Sequence, residues 1–192
     1  MKLAVALTMT AITAFAQGPL IEGKKDSPVR VVIWEDLQCP DCADFRKMLD
    51  EKLLPKYGAK VAFEHRDFPL AKHSWARRAA VAARYIQGIS EEAGITFRRE
   101  TMAAIREIKA GTFEGWLKKF CESHGLDPGK AAAALSDERL NALVQKDFEE
   151  GTARGIARTP TALVNGEPFI ETFTLEEISK GIESALKENG IE

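Results

Sequence analysis

Val29-Arg30-Val31-Val32-Ile33-Trp34-Glu35-Asp36-Leu37-Gln38-Cys39-Pro40-Asp41-Cys42 is the stretch on which the fold turns. Its first six residues are β-branched, apolar or aromatic with one exception. They read as a strand covered on both faces. Two cysteines with a two-residue spacer follow. A helical period then begins, with Phe45, Met48, Leu49 and Leu53 at offsets 0, 3, 4 and 8 and charges between them. Pro55 and Gly58 are expected to end that helix. A strand running through a cysteine pair into a helix predicts an α/β domain with its chemistry at the helix start.

Further along, residues 61–68 read as a second strand. From Lys72 the pattern is helical, in several pieces, to about residue 154. Trp75, Ala79, Ala82, Ala83 and Ile86 share one face. Phe97, Met102, Ile105 and Ile108 mark another helix, and Phe113, Trp116, Leu117, Phe120 and Cys121 a third. Asp127-Pro128 reads as an N-cap followed by proline at the first helical position. Leu140, Leu143, Val144 and Phe148 line a later helix. The period then changes to a short strand at 161–164, a hairpin turn at Asn165-Gly166, and a returning strand through Pro168, Phe169 and Ile170. Thr174-Leu175-Glu176-Glu177 is a capping box that starts a last helix, with Leu175, Ile178, Ile182 and Leu186 inward. The expected order is β-α-β, a helical block at about 72–154 inserted into the domain, then β-β-α.

The chain has 192 residues, 45% hydrophobic and 29% charged, with 27 basic against 29 acidic side chains. That excludes wholesale disorder, and a chain of this size can bury roughly 70% of its unfolded surface without a disulfide scaffold. The near-balanced charge predicts no electrostatic grip on nucleic acid. Leu3 to Ala16 holds only apolar residues and Thr after Lys2, and Ala14-Phe15-Ala16 fits the small-x-small pattern of signal cleavage. Residues 1–16 are therefore expected to be a signal peptide and 17–192 the exported, periplasmic or otherwise extracytoplasmic domain. Disulfides persist in such a compartment.

Cys39 falls at the helix N-terminus, where unpaired backbone N–H groups and the positive end of the dipole favour a thiolate. Pro40 suits the first turn because it has no N–H to leave unpaired. The spacing divides the labour: an exposed Cys39 attacks or is attacked, and a shielded Cys42 resolves the mixed disulfide. A permanent disulfide is disfavoured, since so short a loop adds little loop-entropy stabilisation. Half of a zinc site is disfavoured as well, because His65, His73 and His124 are scattered and no second cysteine pair exists. No metal is expected. Thr159-Pro160-Thr161 stands directly before the last hairpin; a proline at a strand entry can be cis, and the plainer alternative is a trans proline opening an edge strand.

Asp36-Leu37-Gln38-Cys39-Pro40-Asp41-Cys42, Arg66-Asp67-Phe68-Pro69-Leu70, and the run from Gly155 through Arg158-Thr159-Pro160-Thr161 to Gly166 resemble the DsbA-like thiol:disulfide oxidoreductases of the thioredoxin superfamily. The likeness extends from Val29 to about Leu186. It implies a thioredoxin-like fold, a central mixed β-sheet with an inserted α-helical subdomain. It implies Cys39 as nucleophile, Cys42 as its redox partner, and Pro40 and Asp41 as the active-site dipeptide. A cis peptide at Thr159-Pro160 would face the cysteines, with Arg158, Thr159 and Pro160 binding extended substrate. The implied activity is disulfide donation to folding secreted proteins that carry cysteines, followed by re-oxidation by a membrane partner. No cofactor is needed beyond the redox-active Cys39-Cys42 disulfide. A reductase or isomerase with the same site is the first alternative, and a non-catalytic peptide-binding module with a structural disulfide the second. A monomer is expected, because residues 17–28 leave no room for the dimerisation domain of the superfamily's isomerases. One departure is Asp41, where strong oxidants of this family often carry His. Its charge should raise the Cys39 pKa relative to a His variant and weaken the oxidant.

Other residues receive plainer readings. Cys121, on an apolar helix face, is expected to be a buried core thiol. Glu35, Asp36 and Glu64 could each supply a carboxylate beneath Cys42, although solvated strand ends are the simpler expectation. Arg77, Arg78 and Arg84 are expected on a solvated helix face, and His73 and His124 at the surface.

Overall fold

A computed structural model describes residues 18–191, so the expected signal peptide lies outside the described residues. Strands β1 (Leu20–Gly23), β2 (Arg30–Glu35), β3 (Ala62–Asp67), β4 (Thr161–Val164) and β5 (Glu167–Ile170) form one sheet in the order β1-β3-β2-β4-β5. The β2–β3 pair is parallel, and the other three pairs are antiparallel. Val31 and Ile33 are fully buried on one face of β2, and Trp34 is 1% exposed. This covering of both faces is what its apolar run requires.

Among the described residues eight α-helices complete the order: α1 (Pro40–Met48), α2 (Leu54–Tyr57), α3 (Ala76–Ile89), α4 (Glu91–Ala103), α5 (Phe113–Ser123), α6 (Pro128–Ala134), α7 (Glu138–Ala153) and α8 (Leu175–Glu188). Helix α1 does not stop at Pro55. A π-helical turn at Leu49–Leu53 links it to α2, and Gly58 ends the run. Proline removes one i→i−4 donor, and a widened turn upstream lets the chain continue in the same direction.

The inserted block comprises α3 to α7 and begins at Ala76, because residues 71–75 form turns. Ile105 and Ile108 lie beyond the end of α4, in the connection to α5, and not on the helix expected there. Asp127 caps α6 through the Lys130 N–H, as its position before Pro128 predicts. Asn165 and Gly166 have φ of +46° and +101°, the left-handed pair that a tight hairpin turn demands. The Thr174 hydroxyl accepts from Glu177 N–H while Glu177 accepts from Thr174 N–H, completing the capping box. Strand β1 was not expected; it is four residues long and owes its place to pairing with β3.

Two large apolar cores hold the domain together, one against the sheet and one within the helical block. One joins Val31, Ile33 and Phe63 to Phe45, Leu49 and Leu53 from the first helix and to Ile178 and Ile182 of α8. The other lies inside the helical block and reaches Cys39 and Cys42 through Leu37, Trp75, Ala79 and Ile86. Cys121 is completely buried in this second core, as expected. On the remaining sheet face α7 meets Trp34 and Phe68 so closely that Gly151 has no room for a Cβ, which would come within 2.6 Å of the indole nitrogen.

Candidate active site

The C-terminal ends of β2 and β3 deliver the site. After Glu35 the chain turns through Asp36, Leu37 and Gln38, and Cys39 N–H donates to Asp36 O at 3.0 Å. Cys39 is the N-cap of α1, with extended backbone, and its carbonyl accepts from Ala43 N–H. The Asp36 carboxylate fixes this turn by accepting from Gln38 N–H (2.7 Å) and Leu70 N–H (2.8 Å), and it lies 2.8 Å from His73 Nδ1. The Gln38 side chain accepts from Trp75 N–H at 2.7 Å. The cysteine loop and the loop after β3 are thereby pinned together. His73 is half-buried and partnered, unlike the lone surface residue expected.

Across the cleft, the Thr159-Pro160 peptide is cis. Cys39 Sγ–H donates to Thr159 O at 3.3 Å, so residues 120 apart in sequence meet at one end of the sheet. The Thr159 hydroxyl is buried without a hydrogen-bond partner. Arg158 is exposed and engages Glu171 at 2.6 Å. All three cysteines are free thiols. The expectation of an exposed Cys39 requires correction: the residue is 5% exposed and Cys42 1%. The order of accessibility holds, but Cys39 packs into the same apolar cluster as Leu37 and its sulfur is held against Thr159.

The two thiols are electrostatically unlike. Cys39 is brought down to about 6, first by the Cys42 thiol donating to its sulfur. Burial opposes this shift, while Thr159 and the backbone N–H groups of Cys42 and Asp41 support it. Cys42 is pushed well above the ordinary thiol range, chiefly by burial and then by the adjoining Cys39. Its sulfur accepts from Asp36 N–H at 3.4 Å, and the negative charge of Glu35 contributes to the same upward shift. Burial likewise raises Asp36, with its three hydrogen-bond partners resisting.

Glu35, Asp36 and Glu64 are all buried, so the expectation of solvated strand ends fails for each. Glu35 Oε1 lies 3.0 Å from His65 Nδ1 and accepts from Arg98 Nη1 at 2.9 Å. On its other side His65 Nε2 is 2.9 Å from Glu22 Oε1, which also accepts from Arg46 at 2.5 Å. Arg98 continues to Asp67 at 2.7 Å, and Asp67 to Arg84 at 2.5 Å. Arg84 pairs with Asp147 as well and is 2% exposed, so it does not belong to a solvated face. Burial disfavours the charged His65 ring, but Glu35 and Glu22 outweigh it and raise its pKa. The same contacts hold both carboxyls below the usual range against their own burial. Glu35 is thus a fixed charge behind Cys42, not a ready proton acceptor. Sequence offered one hint of this cluster: Glu64, His65, Arg66 and Asp67 in succession inside a strand must either be solvated or be paired.

Fold and site together define a thioredoxin-type domain with a Cys-Pro-Asp-Cys helix start facing a cis-proline loop. The model of the thioredoxin family matches residues 16–184, and the chain belongs to that family. Its fold is the DsbA-like form with a helical insertion. Oxidised BdbD of Bacillus subtilis superposes with a TM-score of 0.80 at 24% identity, covering 88% of this chain and 93% of that one. The α-DsbA1 protein of Wolbachia pipientis does so with a TM-score of 0.77 at 16% identity, covering 88% and 92%. In sequence, the Na(+)/H(+) antiporter NhaA 3 of Salinispora tropica is 25% identical over 168 residues, 86% of this chain and 24% of that protein. The chain spans about a quarter of the length of the curated relatives it matches. No helix among the described residues is long and apolar enough to cross a membrane.

Proposed function

We propose that the protein is an exported thiol:disulfide oxidoreductase that donates its Cys39-Cys42 disulfide to cysteines of folding proteins. The observation that carries this reading is the split between the two thiols: Cys39 is lowered to about 6 at a helix start facing Thr159, while Cys42 is raised beneath it. A substrate thiolate adds to Cys39 Sγ, the Cys39–Cys42 bond breaks, and Cys42 leaves as a thiolate that takes up a proton. A second substrate thiolate then attacks the substrate sulfur of the mixed disulfide and expels Cys39. Two substrate thiols become one disulfide, and the enzyme gains two electrons; of the two protons given up, Cys42 takes one and the other goes to solvent, since Cys39 stays a thiolate at neutral pH. The cysteine pair carries the electrons itself, so no diffusible cofactor is required, and a membrane partner would remove them. The apolar leader at 1–16 supports export.

The same split supports an oxidising direction of flow. A thiolate stable at neutral pH stabilises the reduced enzyme and makes its disulfide the stronger oxidant. Asp41 works the other way and tempers that strength. Equilibration against a glutathione redox buffer tests this directly. A potential on the oxidising side of the superfamily but below the strongest oxidants at about −120 mV is expected; one near about −270 mV would assign the site to reduction instead. Cys39→Ser should abolish exchange and spare substrate binding. Absence of exchange in the parent would leave only the peptide-binding module.

A further inference from the structure

The surroundings of Cys39 differ in charge from one side to the other. On the β3 side a groove of about 290 Å³ opens next to Pro40. Trp75, Ile105 and Ile108 form its apolar floor, and Arg106 and Lys109 its rim. Both cations are exposed, and neither makes an ion pair with a carboxylate among the described residues. Lys109 Nζ donates only to the Arg106 carbonyl, at 2.9 Å. No acidic side chain lines the groove.

On the β5 side a smaller cavity of about 130 Å³ is edged by Asp41, Asp44 and Glu171 over Phe45, Met48 and Phe173. Arg158 engages Glu171, leaving two carboxylates unmatched on the exposed flank of α1. The loop after β3 walls the first hollow and the loop after β5 the second, while Asp44 and Arg106 both line a third along α1 and the end of α4. The sheet order puts β3 and β5 on either side of β2.

We propose that the Arg106–Lys109 groove seats acidic and apolar residues adjoining the reacting cysteine of a substrate chain, so that the enzyme selects cysteines in acidic surroundings. This rests on the oxidoreductase reading and adds to it the class of substrate. The occupant is an extended polypeptide segment, since the groove is lined by Gln38 and Pro40, the residues on either side of the nucleophile in the chain. An acidic neighbour finds two uncompensated cations on the first side and would meet Asp41 and Asp44 on the second. A basic neighbour in the groove is repelled by Arg106 and Lys109, and an acidic one on the other side by Asp41 and Asp44, and such like-charge contact is how interfaces reject partners.

The test uses the disulfide form of the full chain and two single-cysteine peptides, alike except for one Glu-Leu or Lys-Leu pair on a single flank of the cysteine, the other flank being neutral and each flank being tried in turn. Loss of the Cys39-Cys42 disulfide is timed in low salt and in high salt. The acidic peptide should react about tenfold faster in low salt, and the gap should shrink as salt screens the charges. The double variant Arg106→Glu, Lys109→Glu, on an exposed loop, should erase or invert the preference. Comparing variant with parent cancels the effect of the flanks on the peptide's own thiol. Equal rates for both peptides in the parent would overturn the inference, as would a preference that survives the double variant. A parent disulfide inert even to dithiothreitol would instead remove the oxidoreductase reading on which it stands.

Discussion

Cys39 concentrates what one side chain can do here. Its folded pKa is lowered to about 6, well below that of a free thiol, so its thiolate favours the folded reduced protein. A lowered acid contributes stability that is present above the ordinary thiol range and is lost as pH falls through about 6. Absorbance of the reduced protein near 240 nm should therefore titrate with a midpoint near 6, and alkylation should slow below it. Thr159 supports the thiolate although its hydroxyl has no partner beside the neutral thiol. Thr159→Val removes one hydrogen bond to a charged group, about 1.5 kcal/mol, and should cut the thiolate fraction at pH 6 several-fold. An unmoved midpoint would show that the hydroxyl plays no part. The cysteine pair itself was legible because its signal is local. The meeting of Cys39 with Thr159 was legible only in combination: the bare Thr-Pro-Thr tripeptide carries no distance information, and it gained meaning from the cysteine pair upstream, which the strand order would bring to the same end of the sheet.

Strand β3 shows at the scale of the element what periodicity cannot express. Glu64 to Asp67 look like residues of a solvated edge, yet the strand lies between β1 and β2, and His65 is wholly buried. Its partners lie 30 and 43 residues away, and those of Asp67 lie 17 and 31 away, beyond any window in which a pattern repeats. The hairpin and the capping box were readable because turn and cap chemistry act over four residues. His65 has a raised pKa, so its contribution is complete below the ordinary histidine range and fades as pH climbs through the raised value. Glu22 and Glu35 are lowered, and theirs is complete above the usual carboxylate range and fades as pH falls. Stability should plateau between these limits. His65→Gln leaves two buried carboxylates without their shared cation and should destabilise by about 3–5 kcal/mol in urea unfolding. It should also remove the alkaline shoulder of the stability profile. A variant with the parent's profile would show that His65 folds uncharged.

For the molecule as a whole, the insertion decides how the parts sit. It leaves the sheet after Asp67 and returns by α7, whose Gly151 rests on Trp34 and Phe68. Neither ring can yield without displacing the strand or the loop that holds it. Gly151→Ala should lower stability by about 1–3 kcal/mol in thermal melts. A melt unchanged from the parent would mean that α7 is free to lift off. The chain of charges from Glu35 through Arg98 and Asp67 to Arg84 and Asp147 stitches the same boundary, with one end directly behind the cysteine loop. A seam of that kind makes the helical block inseparable from its host. Cutting the chain down to a minimal thioredoxin by excising α3 to α7 would strip the countercharges from Glu35 and Asp67, and the shortened protein would have to let water into its own centre.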